Sequence, residues 1–388
     1  MPASSSASTD TALMNTTYRP SALSVFAISV LLLSINLSHA PMMFDESYYV
    51  RAARELLAGA PTNNPEHPPL AKSVMAASIK VFGDKPFGWR FPSVLAGGLA
   101  GAAIFGITRR LTQSMRTAMI AWLLTVAGGF WFVMSRVAML SIYQLAFELA
   151  GVWLFLIALE QGSMQQFALS GALFGLSIGC RWCGAVGPIA CLIVLIVERA
   201  KLRSVLAMLA ATLIAYCAAW LPLLIRERRP FSYLVTANQF ILHFHRNLNV
   251  DPRLGERWWT WFLRLTPQES LAHLVANPII GLLGLFAVPA LLWKRVEHAK
   301  DKSYILSLLY LGHVGQWVIG VRHLTFYYHY MEAFIVLAPA LAIAMGRIEW
   351  HKVRLDVVVT ACSLLFFVYW YPTWADLPEP FNLLMGAH

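Results

Sequence analysis

Apolar stretches long enough to cross a bilayer, about 17–25 residues each, recur along the whole chain. They occupy 21–39, 91–108, 117–134, 139–159, a long run over 167–197, 204–225, 275–293, 303–320, 330–346 and 355–371. Arg181-Trp182 interrupts the long run and divides it into two spans, which brings the expected total to about eleven helices. Backbone groups inside hydrocarbon must be hydrogen-bonded within the protein, so helices or a closed barrel are the only choices. The short alternating segments of a β-barrel are absent. The expected fold is therefore an all-α polytopic membrane protein. Charged residues make up 13% of the 388 residues and hydrophobic ones 58%, whereas soluble domains carry about 25% charged residues. A soluble enzyme, a disordered chain and a disulfide scaffold are excluded.

The net charge of +10 would suggest a nucleic-acid partner in a soluble protein. Here the basic residues collect in short loops of one parity: Arg109, Arg110 and Arg116; Arg199, Lys201 and Arg203; Lys294, Arg295, Lys300 and Lys302; Arg347, Lys352 and Arg354. Loops of the opposite parity carry single arginines, Arg136, Arg181 and Arg322. The positive-inside rule then puts the N-terminus inside and the C-terminus outside, with membrane lipids rather than nucleic acid as surroundings. Residues 1–20, rich in Ser, Ala and Thr, are expected to be a disordered cytoplasmic tail, and 21–388 a single transmembrane domain. The first span lacks a strongly basic preceding region and reads as a retained helix rather than a cleaved signal. Cys180 and Cys183 form a C-x-x-C with no second pair, so the cysteines read as small buried hydrophobes.

Two long loops, 40–90 and 226–274, fall outside on this topology, and loops of that length usually carry function. The first contains two amphipathic helical stretches suited to the membrane interface. Asp45-Glu46 stands at the outer end of the first span, where a carboxylate can serve as a general base or simply cap a helix. Glu66-His67-Pro68-Pro69 follows a turn, and the prolines restrict the backbone that presents Glu66 and His67. Arg90, Arg136, Arg181 and Arg322 lie at span ends against the charge rule. Their forked guanidinium groups suit a phosphate, and snorkelling to headgroups is the structural alternative. Tyr327-Tyr328-His329-Tyr330 lies just after Arg322. His243-Phe244-His245 has a metal-like look without a third ligand, so no metal site is assigned. No cofactor is demanded, and a divalent cation stays open. Trp258, Trp259 and Trp261 read as an aromatic belt.

Several ordered motifs make the chain resemble the protein O-mannosyltransferases of the GT-C superfamily. They are Phe44-Asp45-Glu46 with a following Tyr, His67-Pro68-Pro69-Leu70-Ala71-Lys72, Arg90-Phe91-Pro92-Ser93, Ser135-Arg136 before Met139-Leu140, Gly171–Leu176 leading to Arg181-Trp182-Cys183-Gly184, and Phe326–Tyr330 before a helix. The resemblance runs from about residue 40 to 375. It implies inverting transfer of mannose from a polyprenyl-phosphate donor to Ser or Thr hydroxyls of proteins on the non-cytoplasmic face, here the cytoplasmic membrane of a bacterium. It further implies Asp45 as base, with Glu46 placing acceptor or sugar. Glu66, His67, Tyr49 and His329 would bind substrate, and the four arginines the phosphate. The chain departs from the family at Ser141, where an acidic residue is usual, at Arg181, usually Lys, and at Glu66, often Asp. It lacks the β-trefoil insert, as a compact bacterial-type member would. Two other readings stay open: a GT-C transferase with a glycolipid acceptor, such as lipid A modified with aminoarabinose, and a transporter.

Overall fold

The structure, a computed structural model, describes residues 20–39, 42–248, 255–268, 270–320, 325–348 and 354–377. The expected N-terminal tail, Arg322 and Lys352 lie outside the described residues. Among those described, sixteen α-helices follow in order: α1 Ala22–Ser34, α2 Glu46–Ala58, α3 Leu70–Phe82, α4 Pro86–Thr112, α5 Met115–Ala127, α6 Phe130–Met134, α7 Leu140–Gln161, α8 Met164–Cys180, α9 Val186–Val197, α10 Leu202–Ala219, α11 Leu221–Arg226, α12 Tyr233–Arg246, α13 Pro278–Glu297, α14 Tyr304–Val318, α15 Met331–Gly346 and α16 Leu355–Trp374. Short 3₁₀ turns add Trp182–Ala185, Trp258–Leu263 and Tyr327–Tyr330.

Every expected apolar stretch lies on one or two of these helices. Among the described residues, six helical stretches are long and apolar enough to cross a membrane on their own: Pro86–Thr112, Leu140–Gln161, Leu202–Arg226, Pro278–Glu297, Tyr327–Gly346 and Leu355–Trp374. The helix starts are written in the sequence. Ser21, Ser114, Ser163 and Asn277 accept a hydrogen bond from the first turn of α1, α5, α8 and α13, satisfying N–H groups that no carbonyl can reach. Arg181 breaks the long run as expected, ending α8 in extended backbone before the 3₁₀ turn and α9.

One expectation needs correction. The stretch 117–134 is not a single helix: it breaks at Gly128-Gly129 into α5 and the short α6. Gly129 has φ of +84°, a left-handed conformation that glycine adopts at little cost. A Cβ there would sit 2.5 Å from the Val275 carbonyl oxygen. Asn277 takes over the freed backbone, donating from its backbone N to the Gly128 carbonyl and from Nδ2 to those of Ala127 and Ser363.

Packing ranks the helices. Of the Tyr327–Gly346 stretch 89% of the apolar window is buried, against 22% for α16, so α15 is central and α16 peripheral. Gly171, Gly175 and Gly179 on α8 face α10, where a Cβ would collide with Met208 O, Thr212 O and the Ala219 side chain. Small residues four apart let two backbones approach closely. At one end of the bundle ion pairs join the basic loops: Arg110–Glu160, Arg116–Asp356, Arg295–Glu198 at 3.1 Å and Arg347–Asp301 at 2.6 Å. Elsewhere the two long loops and the Tyr327–Tyr330 turn meet. Thr62 N donates to Glu227, His245 contacts the Glu66 carbonyl and Tyr328 reaches Asp45. The amphipathic helices α2 and α3 turn one face, including Tyr49, Val50, Ala53, Met75 and Ile79, into the protein core.

Candidate active site

Asp45 is the N-cap of α2, yet its side chain makes no capping hydrogen bond. Its Oδ2 instead accepts from the Tyr328 hydroxyl at 2.9 Å. A hydrogen bond to a carboxylate favours and orients its charged form. Phe44, which has φ of +45°, packs edge-on against Phe326 and Tyr328, so an aromatic wedge holds the two segments together beside the carboxylate. Asp45 lines a cavity of about 220 Å³ shared with Tyr49, Asn64, Glu66, His67, Arg181, Tyr328 and His329. A second cavity of about 180 Å³ adjoins it and shares Glu66, His67 and Arg181. Its other walls are mostly apolar and include Trp182, Ile241, Leu242 and Trp317.

The wall between the cavities is the Asn64–Pro69 turn. Lys72 holds it from below: Nζ donates to the carbonyl and side-chain oxygens of Asn64 and, at 2.9 Å, to the His67 carbonyl. Asn64 Nδ2 donates to Glu66 Oε1 at 2.6 Å. The His67 ring lies edge-on to Tyr49 and 5.4 Å from the His245 ring. Burial pushes the Lys72 ammonium down to about 8, against the opposing pull of Glu66, Glu227 and Glu55.

Among the described residues, Arg181 is the arginine that lines both cavities. It donates from Nη1 to Ser141 Oγ at 2.5 Å and to Glu332 Oε1 at 2.7 Å. Glu332 has no exposed surface, and its second oxygen is buried without a hydrogen-bond partner among the described residues. His329 lines the Asp45 cavity, accepts from Phe326 N on Nδ1 at 2.9 Å and packs at a tilt against the Tyr328 and Trp317 rings.

The remaining expected residues are placed differently. Glu46 is fully buried and its carboxylate accepts from Arg90 Nε at 2.8 Å, Arg90 Nη2 at 2.7 Å, Met43 N at 3.0 Å and Ala138 N at 2.9 Å. Neither Glu46 nor Arg90 lines the cavities that Asp45 and Arg181 define. This enclosed bidentate pair ties α2, α4 and the segment before α7 together. Arg136 also points elsewhere: Nη1 donates to the Leu33 and Ile35 carbonyls at 2.7 and 2.5 Å, and the guanidinium lies over Phe132. It closes the C-terminal end of α1, where carbonyls lack helical partners. His243 is exposed and bonds Asn247 while His245 faces the cavity, because residues two apart on a helix diverge. Among the described residues no group of three or more His, Cys, Asp or Glu is placed to hold a metal ion. Trp261 is 1% exposed and packs on Trp317 and Tyr330, so it belongs to the loop core rather than an aromatic belt.

Sequence reasoning missed Glu332, Glu148 and His313. Each is an ionisable residue inside an apolar run, and that isolation was the available signal.

Residues 66–223 match the family model described as dolichyl-phosphate-mannose-protein mannosyltransferase. A polyprenol-phosphate-mannose–protein mannosyltransferase of Corynebacterium glutamicum is 36% identical over 152 residues, covering 35% of this chain and 29% of that protein. The protein of the same description from Mycobacterium tuberculosis is 23% identical, covering 87% of this chain and 83% of its own length. The S. cerevisiae protein O-mannosyltransferase Pmt1-Pmt2 complex bound to its sugar donor superposes with a TM-score of 0.78 at 10% identity, covering 94% of this chain and 92% of that one. ArnT from Cupriavidus metallidurans bound to undecaprenyl phosphate gives 0.64 at 16% identity, covering 94% and 70%. Over residues 66–223 the chain is thus similar to dolichyl- and polyprenol-phosphate-mannose–protein mannosyltransferases, and over nearly its whole length it shares the fold of the Pmt1-Pmt2 and ArnT structures.

Proposed function

We propose that this protein transfers a mannosyl group from a polyprenyl-phosphate donor to Ser or Thr hydroxyls of proteins, with inversion at the anomeric carbon. The observation that carries the reading is the placement of a carboxylate and a guanidinium on one cavity: Asp45 stands beside Tyr328, and Arg181 stands where that cavity meets the apolar one. In-line displacement needs a base behind the attacking hydroxyl and a cation at the departing phosphate. Asp45 takes the hydroxyl proton as the oxygen bonds to the anomeric carbon. The bond from that carbon to the phosphate oxygen breaks, and its electron pair leaves with the polyprenyl phosphate, where Arg181 receives the charge. Glu332 and Ser141 hold the guanidinium in orientation. The donor enters through the apolar cavity with its sugar where the two cavities meet, and Glu66, His67, Tyr49 and His329 shape the space around the sugar.

The cavities lie on the side of the two long loops, away from the basic ion-paired end, so they face the exterior of a bacterial cytoplasmic membrane, with the N-terminus inside and the C-terminus outside. Glu46 and Arg90 hold the start of α2, and with it Asp45; Arg136 holds α1. A membrane assay with polyprenyl-phosphate mannose and a Ser/Thr peptide tests the assignment. Asp45→Asn should cost about 10²–10⁴-fold in turnover without loss of fold. Undiminished transfer by that variant refutes the base. Transfer to a lipid A acceptor but not to the peptide overturns the protein acceptor.

A further inference from the structure

A polar seam runs from the donor-side cavity into the membrane interior. Ser141, Gln144 and Glu148 lie on one face of α7, at 2%, 0% and 0% exposure, and seven residues of helix put Glu148 about 10 Å deeper than Ser141. Glu148 Oε2 accepts from Gln144 Nε2 and Oε1 lies 3.0 Å from His313 Nε2 on α14. One turn on, Gln316 Nε2 lies 3.3 Å from His313 Nδ1 and 3.2 Å from the His313 carbonyl oxygen. Gln316 lines the donor-side cavity beside Arg181 and Trp317.

The polarity of this chain follows from its fixed members. A carbonyl oxygen only accepts, so the Gln316 atom beside it must be the amide nitrogen. That NH₂ group then donates its other proton to His313 Nδ1, which accepts, and the ring proton sits on Nε2 and is donated to Glu148. Both amide protons of Gln316 are thereby directed at His313, leaving its carbonyl Oε1 as the group available to the cavity. An acceptor repels a phosphate and suits a hydroxyl. The fold has made room for the arrangement: a Cβ on Gly187 of α9 would lie 2.7 Å from Glu148 Cγ, and one on Gly312 would lie 2.6 Å from Val186, so α9, α7 and α14 close around the pair.

Resting on the function proposed above, we infer that Gln316 is a donor-recognition residue that accepts a hydrogen bond from a hydroxyl of the transferred sugar. His313 and Glu148 are the positioning residues that aim its amide. The reading predicts selectivity for a hydroxyl-bearing sugar at one position, set from within the membrane.

The test uses the full-length protein in membranes with polyprenyl-phosphate mannose and a series of its monodeoxy analogues. Wild-type turnover of the parent donor establishes the underlying function; its absence would defeat that reading before Gln316 is at issue. Gln316→Ala, at a half-buried wall position, should raise the donor KM about tenfold, equivalent to about 1.4 kcal/mol, with kcat and acceptor KM little changed. One deoxy analogue should be penalised about tenfold by the wild type and not by Gln316→Ala. His313→Gln should show the same KM effect, and combining it with Gln316→Ala should add nothing further. An unchanged donor KM in Gln316→Ala, or the same deoxy penalty in variant and wild type, overturns the sugar contact. Multiplicative effects in the double variant overturn the positioning chain. Should His313→Gln not fold, the two Gln316→Ala measurements decide the proposal alone.

Discussion

Replacing Glu46 by Gln removes one charge from a side chain with 0% exposure and leaves its partner Arg90 charged at 1% exposure. The carboxylate has four donors, two from one guanidinium and two from backbone at Met43 and Ala138. Breaking such a buried pair by neutralising one member costs about 3–5 kcal/mol, because the surviving charge is stranded. Arg90→Met strands Glu46 in the same way and should cost a similar amount. In Glu46→Gln combined with Arg90→Met neither charge remains, and the Gln carbonyl can still accept from a backbone N–H. The double variant should therefore lose about what either single variant loses, not the ~6–10 kcal/mol sum, giving a coupling energy on the order of 3–5 kcal/mol. Reversible unfolding in mixed SDS micelles, followed by tryptophan fluorescence, measures all four proteins. Additive losses would refute the closed-pair assignment. A Glu46→Gln protein as stable as wild type but without transfer activity would instead make Glu46 a substrate-contacting residue.

Other outcomes follow from the same geometry. Tyr328→Phe deletes the hydrogen bond to Asp45 and should lower kcat about 10–100-fold, the kinetic equivalent of about 1.5–3 kcal/mol for a bond to a charged group; an unchanged kcat would remove Tyr328 from the base. Arg181→Ala should weaken binding of a fluorescent polyprenyl phosphate more than Arg136→Ala does, and equal losses would refute its special placement. Lys72 sits at about 8 when folded against an ordinary lysine value of 10.5, so between those values the unfolded chain binds more protons and stability rises with pH. The rise should total on the order of 3 kcal/mol and vanish in Lys72→Met; a pH-independent wild type would refute it. Gly129→Ala should destabilise by about 1–3 kcal/mol or more through backbone strain alone, read in the same unfolding assay, and a neutral result would mean the α5–α6 break relaxes.

Much of the architecture is legible in the order of the residues. Hydrocarbon enforces continuous apolar helices, so composition alone reveals where they lie. The Arg181 interruption is visible for the same reason, since a charge cannot sit in an apolar run without ending it or meeting a partner. The Gly128-Gly129 break is not visible, because glycine is common inside membrane helices and only the Val275 and Asn277 contacts show which glycine must bend.

The sequence by itself determined that the chain spans a membrane on helices, that its basic clusters sit on loops of one parity, and that sparse charges interrupt or flank its apolar runs. Only the tertiary structure decided which of those charges meet. Asp45 and Arg181 share a cavity, whereas Glu46 is consumed by Arg90 and Arg136 by the end of α1, although all five residues look equivalent as isolated charges beside apolar sequence. The physical reason is that a buried charge must find a partner, and partners such as Glu332 lie 151 residues away in the chain. Pairing across such distances is set by helix packing, and local sequence carries no record of it.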